Sequence, residues 1–408
     1  MKDGAPRAVS IQPRSRPVHL ALLLLIVLLV VPILLPLARG APPAVTTVSG
    51  GASPSGLAYD AAKGEVFVSN YDSNNVSVLS DATNKIVANV SVGTSPIGIA
   101  YDSGRGEVFV ADSGSNTVSV ISDGNDSVVA TVNVGDTPIG VAYDSGLGEV
   151  FVSDNSPDAA SGTVSIISDS TDALVANVSV GAAPWGIAYD SGRGEVFVAN
   201  YESGDVSIIS DTTNAIVQNV TVGSLPVGVA YDPAKNEVFV ADSSSGTVSI
   251  ISDSTDAVVA SPGAGPSPYD PVYDQARGEV FVTDEGGDTV TAISDGTDQV
   301  VGTAPVGTMP EALVYDSGDN QLYVGDEGDN TIAVLSGVTS TGSASTSTTT
   351  AVSTQSSTST TTSTPSAAST GSASSLRWGY LAAVSSEAAL LAVLGFLRPR
   401  AARRRGAA

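Results

Sequence analysis

Cysteine is absent from the 408-residue sequence, and histidine occurs once, as His19. Without cysteine the chain has no disulfide, no thiolate metal site and no cysteine nucleophile. His19 lies at the edge of an apolar run near the N-terminus, so the remaining chain has no imidazole for general-base catalysis or for binding zinc or copper. These absences exclude most enzymes that depend on histidine. They leave the compartment open, because exported proteins need not contain disulfides.

Basic residues are also scarce between residues 41 and 376. This region has six of them against 40 acidic residues, which gives a net charge of −34. Such a surface repels nucleic acid phosphates and anionic lipid headgroups, and it attracts cations. Solubility, or adaptation to salt or acid, explains the same charge without a dedicated ion function.

What the chain does contain is one motif repeated seven times. The second copy runs from Pro96 to Asp112 and includes a Tyr-Asp pair. Five of the six intervals between successive Tyr-Asp pairs are 42 residues, and the third is 46. The tyrosines are Tyr59, Tyr101, Tyr143, Tyr189, Tyr231, Tyr273 and Tyr315. A period of about 40 to 45 residues with short strands is typical of propeller blades.

Each copy is predicted to contain four antiparallel strands. In the second copy, strand-like runs occupy 98–101, 107–111, 117–122 and 127–134, and turn residues separate them. The seventh copy has no fourth run, whereas a spare run at 44–48 precedes the first copy in the matching register. We therefore predict an all-β, seven-bladed propeller in which the N-terminal strand completes the last blade, with membrane helices flanking the ring.

The repeat resembles a known family. Val66-Phe-Val-Ser-Asn70, Val196-Phe-Val-Ala-Asn200 and Leu322-Tyr-Val-Gly-Asp326 look like variants of the motif that names the YVTN β-propeller repeat. The resemblance covers about residues 44 to 337 and implies a propeller fold. The family includes archaeal and bacterial surface-layer-like proteins and periplasmic binding proteins, and related propellers include lactonases.

Both ends of the chain indicate export and membrane attachment. Residues 1–40 combine a basic flank with an apolar run and predict a signal peptide or signal anchor. The propeller, 41–337, is followed by a stalk at 338–375, where 27 of 38 residues are Ser or Thr and none is charged. Residues 376–397 contain an apolar run long enough to cross a bilayer, with Glu387 in mid-span, and 398–408 form an Arg-rich tail that we expect in the cytoplasm.

Candidate ligand-binding residues are those that break the repeat. The residue after the repeat proline changes from blade to blade, and large or charged side chains occur there in blades four, six and seven. Aromatic rings beside carboxylates suit a sugar or a cationic partner, although core filling explains Trp185 equally well. The candidates are Trp185, Tyr269, Asp270, Glu311, Tyr71 and Tyr201.

A second set of candidates is the acidic residue that ends the second strand of each blade. These carboxylates repeat around one axis and could bind a hard cation, so calcium is the one possible cofactor. Turn capping by Asp and Asn is the alternative. The candidate metal ligands are Asp112, Asp154, Asp242, Asp284 and Asp326, while blades one and four have Asn70 and Asn200 instead.

Five Asn-X-Ser/Thr sequons are candidate glycosylation sites. Three of them occupy the same position in the predicted outermost strand, where repeat copying also generates coincident sequons. The asparagines are Asn75, Asn89, Asn125, Asn177 and Asn219.

The sequence thus predicts a membrane-anchored cell-surface propeller that acts in binding, display or a surface layer, with surface glycans or other surface proteins as partners and without nucleic acid. We expect it not to be an enzyme, since no base partners its many serines. The alternative is a calcium-dependent, lactonase-like hydrolase that works on the acidic face.

Overall fold

A computed structural model describes residues 44–156 and 160–336. They form 28 strands in seven four-stranded antiparallel sheets, which confirms the predicted all-β, seven-bladed propeller. No helix long and apolar enough to span a membrane is found in this part of the chain. The predicted leader, stalk, C-terminal membrane helix and basic tail lie outside the described residues.

Each blade contains four consecutive strands, except that blade seven takes its outermost strand from the N-terminus. Blade one has β2 (Pro54–Asp60), β3 (Glu65–Asn70), β4 (Asn75–Ser80) and β5 (Lys85–Ser91). Blade two has β6 (Pro96–Asp102), β7 (Glu107–Asp112), β8 (Thr117–Ser122) and β9 (Ser127–Asn133), and blade three has β10 (Pro138–Asp144), β11 (Glu149–Asp154), β12 (Thr163–Ser168) and β13 (Ala173–Ser179). Blade four has β14 (Pro184–Asp190), β15 (Glu195–Asn200), β16 (Asp205–Ser210) and β17 (Ala215–Thr221).

The remaining blades follow the same order. Blade five has β18 (Pro226–Asp232), β19 (Glu237–Asp242), β20 (Thr247–Ser252) and the shorter β21 (Ala257–Ala260). Blade six has β22 (Pro268–Asp274), β23 (Glu279–Asp284), β24 (Thr289–Ser294) and β25 (Gln299–Pro305). Blade seven has β26 (Pro310–Asp316), β27 (Gln321–Asp326), β28 (Thr331–Ser336) and β1 (Ala44–Ser49).

The N-terminal strand closes the ring as predicted. Strand β1 pairs antiparallel with β28 along its whole length, from Ala44 opposite Ser336 to Ser49 opposite Thr331. In the other blades, the full-length outermost strand contains a β-bulge, so that one of its residues has no partner in the third strand. In blade one this occurs opposite Val78 and Leu79, whereas β1 pairs with β28 without a bulge. The ring is therefore held shut by continuous backbone pairing.

The core lies between blades. The second strand of each blade is apolar on both faces because neighbouring blades cover both sides. Phe151 and Ile166 of blade three, for example, pack in one cluster with Val196 and Val198 of blade four. The phenylalanine at this position is at most 1% exposed in six blades, and blade seven has Tyr323, whose hydroxyl donates to Asn84 of blade one at 2.7 Å. Stability thus depends on each blade having two neighbours.

Two faces of the ring follow from the strand directions. On one, which we call the mouth face, the innermost strands begin at the repeat proline and the second strands end at Asp or Asn. On the opposite face, the innermost strands end at Tyr-Asp and a tight turn leads to the second strand. Gly106 in such a turn has φ +67°, a conformation that glycine adopts without strain.

Candidate functional site

The residues after the repeat prolines meet at the centre of the mouth face. All seven of them line one cavity of about 130 Å³ on the propeller axis. They are Ser55, Ile97, Ile139, Trp185, Val227, Tyr269 and Glu311. The structure therefore brings together the positions that the sequence singled out for breaking the repeat, in a space for about four water molecules.

The channel is narrow because the innermost strands touch. The next position is glycine in the first five blades, and a β-carbon on Gly98 would collide with the carbonyl oxygen of Ile139 in the next blade. Blade six has Asp270 instead, and its carboxylate accepts the backbone N–H of Leu313 at 2.9 Å. Asp270 therefore ties blade six to blade seven while lining the cavity.

Three aromatic rings lie at one side of the mouth. The Trp185 and Tyr269 rings meet edge to face with centroids 6.5 Å apart, and the Tyr201 ring lies 5.6 Å from Trp185 at a tilt of 38°. Trp185 also donates a hydrogen bond to the Tyr269 hydroxyl. Tyr71, in the equivalent loop of blade one, is half-buried on the same face but does not line the cavity.

A carboxyl cluster lies beside these rings. Glu311 is 7% exposed and shares a hydrogen bond with Glu327, which requires a proton between them. Burial, followed by the carboxylates of Glu327 and Glu285, raises the pKa of Glu311 well above its usual range. Burial and then Glu311 likewise raise the pKa of Tyr269. The folded mouth therefore disfavours the charged form of Glu311, and a cation bound beside it would favour that form.

Sequence reasoning missed Glu285 and Glu327. Both follow the residue that ends the second strand, where the other blades have Tyr71, Ser113, Asn155, Tyr201 and Ser243. The signal that could have found them is the one that found Glu311, a departure from the repeat at an equivalent position. Only the three-dimensional arrangement shows that these two sets of positions surround the same opening.

Asp270 is the other unusual carboxyl at the mouth. Burial raises its pKa to about 7, and the hydrogen bond from Leu313 lowers it by less. Asp270 is half-buried because part of its surface reaches the cavity, but the cavity lies inside the ring of blades, so the loss of hydration still raises the pKa. The group therefore titrates near neutral pH.

The aspartates that end the second strands have partners inside their own blades. Asp112 accepts the hydroxyl protons of Thr117 at 3.2 Å and Ser119 at 2.7 Å. In blade four, Asn200 instead donates its amide to Asp205 and to a serine hydroxyl, each at 2.9 Å. The choice between Asp and Asn thus matches the residue that begins the third strand. Where that residue is threonine, an Asp accepts its hydroxyl proton, and where it is Asp or Asn, an Asn donates its amide to it.

The pairing of residue types holds in all seven blades and favours the capping interpretation, and in blade six Asp284 accepts the backbone N–H of Ser267 at 2.9 Å. The five aspartates are at most 3% exposed, and burial raises the pKa of Asp112 and Asp154 to about 6 and that of Asp326 to about 7. Each lies in a separate blade. Within residues 44–156 and 160–336, the three carboxylates whose ligand oxygens lie within 4.8 Å of one another are different residues, Asp81, Asp316 and Asp319. A calcium site on the mouth face stays a prediction.

The sequon asparagines lie at the rim of the ring. Asn89, Asn177 and Asn219 are exposed on the outermost strands, and Asn125 is exposed in a turn. Asn75 is half-buried at the start of β4, where its side chain accepts the amide of Asn70 at 2.8 Å. Four of the five are open to modification, and glycosylation stays a prediction.

Comparison with known proteins agrees on the fold. The chain is similar to a chain of Kuenenia stuttgartiensis hydrazine synthase, with a TM-score of 0.63 and 16% identity over 70% of this chain and 96% of that one. At this identity the likeness shows the seven-bladed propeller alone. No family model and no curated protein matches the sequence.

Proposed function

We propose that the protein is a membrane-anchored, cell-surface binding or display propeller that receives the cationic head of a ligand at its channel mouth. The observation that carries the proposal is the meeting of Trp185, Tyr269 and Glu311 around one cavity, in a ring whose scaffold is otherwise copied. Ligand specificity has to come from positions that differ between blades, and Trp185, Tyr269 and Glu311 occupy such positions.

An ammonium or guanidinium group suits this chemistry. Aromatic faces attract a cation, and carboxylates beside them supply charge and hydrogen-bond acceptors. The raised pKa of Glu311 favours its protonated form, so an arriving cation would favour ionisation and release a proton to solvent. A cavity of about 130 Å³ is smaller than the roughly 300–1,000 Å³ of pockets that enclose a whole ligand, so only a head group fits. A sugar would have to lie across the opening.

Support for the cell-surface location comes from the sequence. The N-terminal apolar run, the Ser/Thr-rich segment and the C-terminal apolar run with its arginines are arranged as in an anchored ectodomain. The resemblance to the YVTN repeat family supports the same role, since that family includes surface-layer-like proteins. Binding is preferred to hydrolysis because the aspartates proposed for a catalytic calcium already bond within their blades.

Calorimetry on the purified full-length protein tests the ligand class. Propylammonium and guanidinium should bind with release of a proton, and glucose at the same concentration should not. Two variants remove the site: Glu311→Gln takes away the acid, and Trp185→Ile introduces the residue of blades two and three at that position. Each should weaken propylammonium binding at least about tenfold.

The matched control is Ser113→Ala, on the same face in a blade without aromatic rings at the mouth, and it should bind as the parent does. Absence of binding by both cations, or equal binding by the Glu311→Gln protein, would contradict the proposal.

A further inference from the structure

The opposite face has a polar arrangement that recurs where one blade meets the next. In six blades, the tyrosine before the last residue of the innermost strand lies between two aspartates, one from the preceding blade and one from the turn after the third strand of its own blade. Tyr101, for example, donates to Asp123 at 3.0 Å and lies beside Asp60 of blade one. Six of the seven junctions therefore bring two carboxylates together across the boundary between blades, and at the junction of blades six and seven Tyr315 donates to Asn320 instead.

One oxygen of the preceding blade's aspartate is left over. In blade one, Asp60 Oδ1 accepts the N–H groups of Ala62 and Lys63, while the buried Oδ2 has no hydrogen-bond partner. The same is true of the equivalent aspartate in six of the seven blades: Asp60, Asp102, Asp144, Asp190, Asp232 and Asp316. The exception is blade six, where the Arg277 guanidinium bonds Asp274 Oδ2. Blade six therefore shows that a cationic group can bind the Oδ2 atom of this aspartate.

Basic side chains neutralise most junctions. The third residue after the aspartate is Lys or Arg in five blades, and two of these reach the acidic turn of the next blade. Lys63 lies 3.3 Å from Asp123, and Arg193 lies 2.9 Å from Asp256. Blade three has a leucine at this position, and blade seven has an acid, Asp319. The junction between blades seven and one thus gains a negative charge where five others gain a positive one and one gains none.

The geometry of that junction is suited to a metal ion. Ligand oxygens of Asp81, Asp316 and Asp319 lie within 4.8 Å of one another. Asp316 is completely buried, and its Oδ1 takes the N–H groups of Gly318 at 2.7 Å and Asp319 at 3.1 Å. Its Oδ2 has no partner. Tyr59 lies beside both Asp316 and Asp81, but it has a single hydroxyl proton and lies within hydrogen-bond distance of Asp81, at 3.1 Å, so Asp316 Oδ2 keeps its capacity to bind a cation.

We propose that Asp81, Asp316 and Asp319 bind one calcium ion across the seam between blade seven and blade one. Three carboxylates supply the hard oxygen ligands that calcium prefers, and their combined charge favours a divalent ion over a monovalent one. Asp81 belongs to blade one, and the other two belong to blade seven, whose outermost strand is β1. The ion therefore links the two blades that the N-terminal strand joins, at the position equivalent to the one where Arg277 of blade six donates to the carbonyl oxygen of Asn320 in blade seven.

The test uses the full-length protein in detergent after treatment with EDTA. Calcium chloride at millimolar concentration should raise the melting temperature above the value in sodium chloride of equal ionic strength, because an ion that binds only the folded state stabilises it. Equilibrium dialysis with radioactive calcium should give one ion per chain. The two salts giving the same melting temperature, or dialysis finding no bound ion, would overturn the proposal.

Two variants locate the site. Asp319→Arg installs the residue of blades two, four and six, so it should abolish the calcium-induced shift and should raise the melting temperature without calcium. Asp319→Asn, a smaller change at an exposed position, should weaken calcium binding at least about tenfold. Asp284→Asn on the mouth face is the control and should keep the full shift. A shift that survives Asp319→Arg, or that disappears in Asp284→Asn, would place the ion elsewhere and refute the assignment.

Discussion

At the scale of single residues, this propeller buries an unusual number of carboxyl groups. Those of the mouth face hold their protons more tightly in the folded chain than an exposed aspartate does, with pKa values of about 7 for Asp270 and Asp326 and about 6 for Asp112 and Asp154. Burial is the largest cause in each case. The protonation of these groups is therefore coupled to folding.

The coupling predicts the pH dependence of stability. In the unfolded chain an aspartate titrates near about 3.9, so between about pH 4 and pH 7 the folded form binds more protons. The free energy of unfolding should be highest near about pH 4 and should fall as the pH rises to about 7, above which the contribution of these groups levels off. Urea unfolding at pH 5, 6, 7 and 8 measures this slope.

Asp270→Asn should make that slope shallower between pH 5 and 8, since the amide keeps the acceptor for Leu313 and loses the titration. The exposed Asp72→Asn is the matched control and should keep the parent slope. Stability that rises from pH 5 to pH 8 in the parent protein would contradict the prediction.

The matching of donors and acceptors at the strand ends gives a second prediction. Asn200→Asp places a buried carboxylate against Asp205 and should reduce the free energy of unfolding by about 2–4 kcal/mol. Asn200→Asp combined with Asp205→Thr recreates the pair of blade two and should recover most of the loss. Chemical denaturation of the parent, the single variant and the double variant measures these free energies of unfolding. A double variant as unstable as the single one would disprove the matching.

At the scale of strands, the sequence was sufficient for most of the architecture. Strand β8 has the predicted bounds, and β7 and β9 differ from prediction by one residue at one end, because alternation and turn residues repeat seven times and each copy supports the others. The junction chemistry was not predictable in this way. Trp185 of blade four contacts Tyr269 of blade six, and Asp81 of blade one lies near Asp316 of blade seven, where the ring closes. The proximity of these pairs depends on the number of blades and the inclination of the strands. The unbulged pairing of β1 also has no signal in the sequence.

Deletion of Ala44–Ser49 tests how much the closing strand contributes. The change should expose the backbone groups of β28, lower the melting temperature and promote aggregation, because an unpaired edge offers a template for other chains. Light scattering during a thermal ramp measures both effects. Deletion of six residues from 338–375 is the control of equal length. Unchanged melting after the first deletion would show that closure does not depend on β1.

At the scale of the whole molecule, charge is distributed unevenly between the acidic region 41–376 and the basic C-terminal tail. Residues 41 to 376 have a net charge of −34, whereas arginines dominate the C-terminal tail. If the anchored arrangement proposed above holds, the acidic ring faces outward and the tail remains inside.

Protease treatment of intact cells tests this orientation. Cleavage within 338–375 should release a soluble fragment that carries the propeller, while an epitope placed after Ala408 should stay protected until the membrane is permeabilised. The reverse pattern of protection would refute the orientation. A tag inserted in an exposed blade turn gives the control for access from outside.

The pairing of Ala44 with Ser336 also decides how the ring responds to mechanical load. The chain enters and leaves the described propeller at one end of the same strand pair, so a pull that separates residues 43 and 337 acts across the strands. Such a load reaches the hydrogen bonds of β1 and β28 one after another and peels the strands apart, whereas a pull along the strands would load them all together. We expect single-molecule extension from these two points to open blade seven first, at low force, and an ion at Asp81, Asp316 and Asp319 would leave that first event unchanged but delay the parting of blade seven from blade one.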